Sequence, residues 1–234
     1  KSLKYYYMRM LKKKILAIIP ARSGSKSIRN KNIKSYKGKP LLYYSIKTAL
    51  KSKLIDRVIV STDSKLYQKL SLKFGAEAPF LRPKKYSSDQ SMDYKYILHA
   101  SKFLKKNNYF PDLIILLRPT TPNRKVNVID KGIKFFIKNI KKYDSMRSVS
   151  KFNHPPQKLF RIKNKMLKGF FDKTLKGEYH SKPRQYFPQT YLPNGYIDIF
   201  KPKFFLKRKK LHGRICPFLT NYTLDIDSKS DFKL

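Results

Sequence analysis

ILAIIPARSGSKSIRNKNI, residues 15–33, is the stretch from which the rest of the chain can be read. Five apolar residues, Ile15 to Ile19, run without interruption, as in a strand buried on both faces, and end at Pro20. A turn of small residues follows, bearing Arg22, Ser23, Gly24, Ser25 and Lys26, then Arg29, Lys31 and Asn32. Gly24 is expected to let the backbone curl so that several N–H groups converge on one anion, with four cations around them. No G-x-x-x-x-G-K-[ST] pattern is present, so this is a phosphate loop of another kind than the Walker type.

Outward from this loop the chain alternates strands and helices. Pro40 introduces LLYYSIKTALKS, whose Leu41, Leu42, Ile46, Ala49 and Leu50 recur at helical spacing. Arg57 to Ser61 reads as a strand leading into Ser61-Thr62-Asp63, and Ser64 to Phe74 as a helix stopped by Gly75. A short third strand is expected over Ala78 to Leu81, then a helix carrying Tyr94, Ile97, Leu98, Ser101 and Leu104. The run through Leu117 that starts after Asp112 is the strongest strand signal, and it ends in RPTTPNR, residues 118–124, ahead of a helix through Ile129, Ile133, Phe136 and Ile140.

Repeated βα units predict an α/β fold in three layers: an open, mostly parallel sheet with helices on both faces. Ligands of such sheets bind beyond the carboxyl ends of the strands, where three polar loops here converge. After Ser145 to Ser150 the pattern breaks. Residues 151–193 read as a β-rich excursion, Asn194 to Phe200 as a returning strand, and Arg214 to Phe218 and Tyr222 to Ile226 as the last strands. No repeat or linker divides residues 14–234, which read as one domain preceded by a basic extension, residues 1–13, in which Met8 or Met10 is a possible start.

The formal charge of +41 would ordinarily suggest a polyanionic partner. Its make-up weakens that inference: of 55 basic residues 43 are Lys, spread over nearly every expected helix, and Ile, Asn, Tyr and Phe are also abundant. All are encoded by A/T-rich codons, so biased base composition alone would give this balance. Lys12 to Lys14 and Lys207 to Lys210 are the densest clusters. Cys216 is the single cysteine, which excludes an intrachain disulfide and fits a reducing, cytoplasmic setting, and no apolar run approaches the roughly 20 residues of a membrane span.

Against this background the motifs resemble those of the acylneuraminate cytidylyltransferases, which make CMP-activated sialic and other nonulosonic acids. The opening loop, VIVSTD at 58–63, LRP…SSD at 81–89, LLRPTTPNR at 116–124, PNGYIDI at 193–199 and DIDSKSDF at 225–232 follow in order along nearly the whole chain. The resemblance implies attack of an anomeric hydroxyl on the α-phosphorus of CTP with loss of pyrophosphate. It places Arg22, Ser25, Lys26, Lys31 and Asn32 at the nucleotide, Lys31 nearest the α-phosphate and Arg22 and Lys26 toward the departing pyrophosphate, with Arg82 and Asp93 near the cytidine. It also implies that Arg118, Thr120, Lys158, Arg184 and Asn194 receive the acidic sugar, and that the excursion forms a homodimer.

Asp225 and Asp227, one residue apart, should project to one side and together hold Mg²⁺ or Mn²⁺, with Asp63 a second candidate. Lys31, Arg22, Asp225 and Asp227 thus form the expected catalytic set. Arg118 stands where the family commonly has Gln, which leaves the identity of the nonulosonic acid open. The alternatives are a cytidylyltransferase for 3-deoxy-manno-octulosonate or another acidic sugar, or a polyanion- or nucleic-acid-binding protein on the same fold, whose binding should survive moderate salt with a steep counterion-release slope; for an enzyme, any nucleic-acid binding is expected to be non-specific.

Overall fold

The computed structural model describes residues 13–233, so the expected basic extension, Lys12 included, lies almost wholly outside the described residues. Ten strands form in chain order: β1 (Ile15–Pro20), β2 (Ser35–Tyr36), β3 (Lys39–Pro40), β4 (Arg57–Ser61), β5 (Leu113–Leu116), β6 (Ser145–Phe152), β7 (Phe160–Lys163), β8 (Met166–Gly169), β9 (Thr190–Phe200) and β10 (Ile215–Leu219). The α-helices are α1 (Leu41–Lys51), α2 (Lys65–Lys73), α3 (Asp93–Lys106), α4 (Val126–Asn139) and α5 (Pro202–Arg208).

Six strands make the main sheet, in the order β10-β6-β9-β5-β1-β4. β1 pairs in parallel with β4 and β5, β6 with β10, and β9 alone runs antiparallel, between β5 and β6. Side chains of β1 alternate between the two faces of the sheet. Ile15, Ala17 and Ile19 join Leu42 and Ile46 of α1 and Ile129, Ile133 and Phe136 of α4 in one core. Leu16 and Ile18 join Ile97, Ala100 and Leu104 of α3 and Phe205 of α5 in the other. The central strand is therefore apolar at every buried position because helices cover both of its faces.

The helix ends follow local chemistry. Ser64 caps α2 by accepting from the Tyr67 N–H at 3.4 Å, and Gly75, at φ 94°, takes the left-handed turn that ends it. Pro202 stands at the start of α5, a helix the sequence reading had not anticipated although Lys201-Pro202 repeats the Lys39-Pro40 signal.

Three expectations are corrected. Residues 78–81 form no strand: only isolated bridges, Ile59 to Glu77 and Thr62 to Leu81, flank a segment in which Pro79 has no N–H to donate. Tyr222 to Ile226 is extended but unpaired in any ladder, its Ile226 N–H donating instead to the Thr120 carbonyl at 2.7 Å. The ends of the expected excursion, residues 151–152 and 190–193, belong to the β6–β9 ladder, so the returning strand starts at Thr190; between them lie one exposed hairpin, β7–β8, and 3-10 turns at 156–158, 179–181 and 184–186, where prolines at 155, 156, 183 and 188 interrupt ladder formation.

The β6–β9 pairing slips between Arg147 and Val149. Opposite that slip Gly195 adopts φ 65°, and Ile197 N–H bonds the Ser148 side chain instead of a backbone carbonyl, at 2.9 Å. Arg124 fills the bulge from behind, donating to the carbonyls of Tyr196 at 2.6 Å and Gly195 at 2.7 Å. Burial pushes the pKa of Arg124 down, and nearby Arg118 adds to that.

Candidate active site

A cavity of about 600 Å³ opens at the carboxyl ends of β1, β4 and β5, next to the point where chain order reverses across the sheet. It gathers Arg22, Ser25, Lys26, Lys31, Asn32, Arg82, Asp93, Arg118, Thr120, Asp225 and Asp227 from five separate segments. Three expected sugar-binding residues lie elsewhere. Arg184 lines a smaller cavity at the base of the excursion, with Phe152 and Phe187, and Lys158 sits on the neighbouring 3-10 turn. Asn194 is buried in the β9 bulge, donating to Thr220 Oγ1 at 2.6 Å and accepting from the Tyr196 N–H at 3.2 Å.

The phosphate loop is shaped differently from expectation. Gly24 does not adopt positive φ, and a Cβ there would meet nothing within 4 Å; the left-handed residue is Asn30, at φ 55°, ahead of the 3-10 turn Lys31–Ile33. Asp63 supplies the curvature instead, accepting from the Ser23 N–H at 2.8 Å and the Ser23 hydroxyl at 3.0 Å. Asn32, nearly buried, donates to the Arg22 carbonyl at 2.9 Å. Asp63 and Asn32 thus brace the loop from beneath, and Arg29 is not among the residues lining the cavity.

Each cation of the loop that reaches the cavity meets a carboxylate from another segment. Asp89 contacts Arg22 Nη2 at 2.5 Å and Lys26 Nζ at 3.2 Å. These contacts, Lys26 first, hold the Asp89 carboxyl below the usual carboxylate range. Lys31 Nζ donates to Asp227 Oδ1 at 2.8 Å. Arg22 Nη1 is buried with no hydrogen-bond partner, an orphan donor at the cavity wall.

Arg82 and Arg118 also line the cavity. Arg82, 4% exposed, donates to Ser61 Oγ at 3.1 Å and lies 4.5 Å from the centre of the Tyr96 ring; burial lowers its pKa. Arg118 bridges Asp93 Oδ2 at 2.5 Å and Asp198 Oδ2 at 2.9 Å, and Asp198 continues to Arg147 Nε at 3.2 Å. Burial alone would lower the Arg118 pKa, but Asp93 and Asp198 outweigh it and raise the value. Tyr96 donates to Asp93 Oδ1 at 2.7 Å, and its own phenol is held neutral by burial.

Asp198, Arg147 and Asp89 carry much of this arrangement and had been given no role. Asp198 had a signal: an acid inside the apolar run YIDIF of a core strand must be paired, because an isolated buried charge is too costly.

Asp225 and Asp227 flank the fully buried Ile226 and both line the cavity, projecting to one side as alternation requires. Among the described residues no group of three or more His, Cys, Asp and Glu side chains forms a metal centre. Two hard carboxylate donors on one side of the chain fit the oxygen-ligand chemistry of Mg²⁺.

A family model described as cytidylyltransferase matches residues 16–210. The chain is 35% identical over 227 residues to the N-acylneuraminate cytidylyltransferase of Escherichia coli O18:K1:H7, an alignment covering 96% of this chain and 52% of that one. It therefore spans about half the length of that relative. It is 32% identical over 230 residues to the pseudaminic acid cytidylyltransferase of Campylobacter jejuni strain 81-176, covering 94% of each. In fold it is similar to a CMP:2-keto-3-deoxy-manno-octonic acid synthetase solved with CTP, with a TM-score of 0.68 at 16% identity, covering 94% of this chain and 95% of that one.

Proposed function

Because the chain belongs to the cytidylyltransferase family, we propose that it transfers CMP from CTP to the anomeric hydroxyl of a nonulosonic acid. The observation that carries this reading is the convergence of Arg22, Lys26 and Lys31 with Asp225 and Asp227 on one cavity, within a chain whose relatives over most of its length are named for such acids. The sugar oxygen forms a bond to the α-phosphorus, the bond to the β-phosphate bridge breaks, and pyrophosphate departs with the electron pair. The hydroxyl proton passes to solvent.

Such a reaction asks for positioning and charge neutralisation more than covalent catalysis. Lys31 faces the α-phosphate, and Arg22 and Lys26 take the charge that develops on the leaving pyrophosphate. Arg22 Nη1, which has no protein partner, gains an acceptor when phosphate arrives. Asp225 and Asp227 would hold Mg²⁺ or Mn²⁺, which would neutralise phosphate oxygens and lower the pKa of the attacking hydroxyl. Arg118, fixed by two carboxylates, presents an oriented donor set beside Thr120 for the acidic sugar, with Asp93 held away from free rotation.

Lys158 and Arg184 would reach a sugar only across a subunit boundary, and the excursion carries the apolar surface for one: Ile162 is 78% exposed and Leu167 65%. A homodimer through β7–β8 is therefore part of the proposal, as is a reducing, cytoplasmic setting for the buried free Cys216. Among the described residues no helix is long and apolar enough to cross a membrane.

The test is pyrophosphate release from CTP and Mg²⁺ with N-acetylneuraminate, legionaminate, pseudaminate or 3-deoxy-manno-octulosonate. Release with a nine-carbon acid, reduced on the order of 100-fold or more in Lys31→Ala and Asp227→Asn, is expected. Release with the eight-carbon acid alone would replace the substrate assignment, and none with any acid from folded protein would overturn the reading.

A further inference from the structure

Five cations and four carboxylates line the cavity at the strand ends of a chain whose net charge is +41 and whose acidic residues number only 14. The cavity is thus nearly charge-balanced where the rest of the surface is strongly basic. The balance is also structured. Asp89 sets one carboxylate oxygen on Arg22 and the other on Lys26, spanning the two cations as a phosphate group would. It comes from the turn between Tyr86 and α3, a segment separate from the loop it neutralises.

We propose that Asp89 is a selectivity residue: an internal stand-in anion on the Arg22–Lys26 pair, displaced only by ligands bearing a pyrophosphate or triphosphate group. The inference rests on the cytidylyltransferase reading for which end of the nucleotide meets these cations. A ligand that needs Arg22 and Lys26 must first break two ion pairs, which lowers its apparent affinity by the fraction of molecules in which Asp89 is released. A ligand held elsewhere in the cavity meets no such competitor. The cost therefore falls on CTP and on the pyrophosphate product and spares CMP. It restrains product retention at the cation pair and keeps small cellular anions from occupying it.

Surface ion pairs are individually weak, and two together set a displacement effect of roughly three- to tenfold. The experiment is calorimetric titration of wild type and Asp89→Asn with CTP, inorganic pyrophosphate and CMP, in EDTA so that no divalent ion takes part, with thermal unfolding confirming that the variant is folded. Asp89→Ser, which removes the amide's hydrogen bonding as well, is the second variant. Both should bind CTP and pyrophosphate about three- to tenfold more tightly and CMP unchanged. Weaker or unchanged pyrophosphate binding overturns the proposal, because Asp89 would then position Arg22 or be irrelevant to it. Equal tightening of all three ligands also overturns it, as a general charge effect. Wild type that binds neither CTP nor pyrophosphate in EDTA or after Mg²⁺ is restored overturns the functional reading itself, a result distinct from either of these.

Discussion

Replacing Asp198 by Asn tests whether the wall of the cavity is held by charge. Asp198 is 2% exposed and lies between Arg118 at 2.9 Å and Arg147 at 3.2 Å. Removing one partner of a fully buried pair costs about 3–5 kcal/mol, chiefly because the remaining charge is left without compensation. Here Arg118 keeps Asp93, Arg147 keeps a 2.9 Å contact with His212 Nε2, and the two arginine side chains are 27% and 31% exposed. Those residual partners and the water bring the expected cost to about 2–3 kcal/mol. For a chain of this length that corresponds to a fall in Tm of roughly 5–10 °C. Urea and thermal unfolding should be compared at matched protein concentration, since self-association would shift both. Adding Arg147→Met to Asp198→Asn removes one of the uncompensated charges and should recover about 1 kcal/mol. A single variant within about 0.5 kcal/mol of wild type would refute the view that Asp198 organises this wall.

His212 should make stability pH-dependent: burial, then Arg147, lowers its pKa below 6.5, so the unfolded chain takes up a proton that the folded one refuses. Stability attributable to His212 is therefore complete at neutral pH, falls as pH drops below about 6.5, and levels off beneath the folded pKa; His212→Gln should flatten the urea midpoint between pH 7 and 5, and parallel profiles would count against it. Gly195→Ala places a side chain at φ 65° with its Cβ 3.1 Å from Thr121 Oγ1, and a loss of about 1–2 kcal/mol by thermal unfolding is expected. Ile162→Lys combined with Leu167→Lys should shift the mass measured by light scattering from dimer to monomer while leaving the circular dichroism of the sheet intact; an unchanged mass would remove the hairpin from the interface.

β1 and its loop were legible because their signals are local: an unbroken apolar run, then polar residues of mixed type within a few positions. The convergence of three loops followed from parallel topology, and Arg22, Lys31, Arg118 and Asp227 do meet at one cavity. What could not be read were pairings over long separations. Asp63 shapes a loop 40 residues away, and Asp198 joins an arginine 80 residues away to one 51 residues away. Gly24 misled for the same reason, since the curvature attributed to a flexible residue comes from a distant carboxylate. The false strand at 78–81 shows the limit of apolar pattern where Pro79 denies the ladder a donor, and the unexpected α5 shows a capping signal overlooked amid a lysine run.

The position of β9 also governs the order in which the sheet can be completed during synthesis. β6 has hydrogen-bonding neighbours only in β9 and β10, both later in the chain, whereas β4, β1 and β5 can associate as soon as Leu116 has emerged. The 37 residues between Phe152 and Thr190 take roughly 2–7 s to translate. Through that interval the nascent chain holds a three-stranded half-sheet with the flank of β5 uncovered and an eight-residue β6 without a partner. Open strand edges of this kind recruit one another between neighbouring chains. Slow decoding across residues 153–189 would prolong the vulnerable interval, and a chaperone that shields β5 until Phe200 arrives would raise the yield of folded protein more than one acting on the N-terminal βα units.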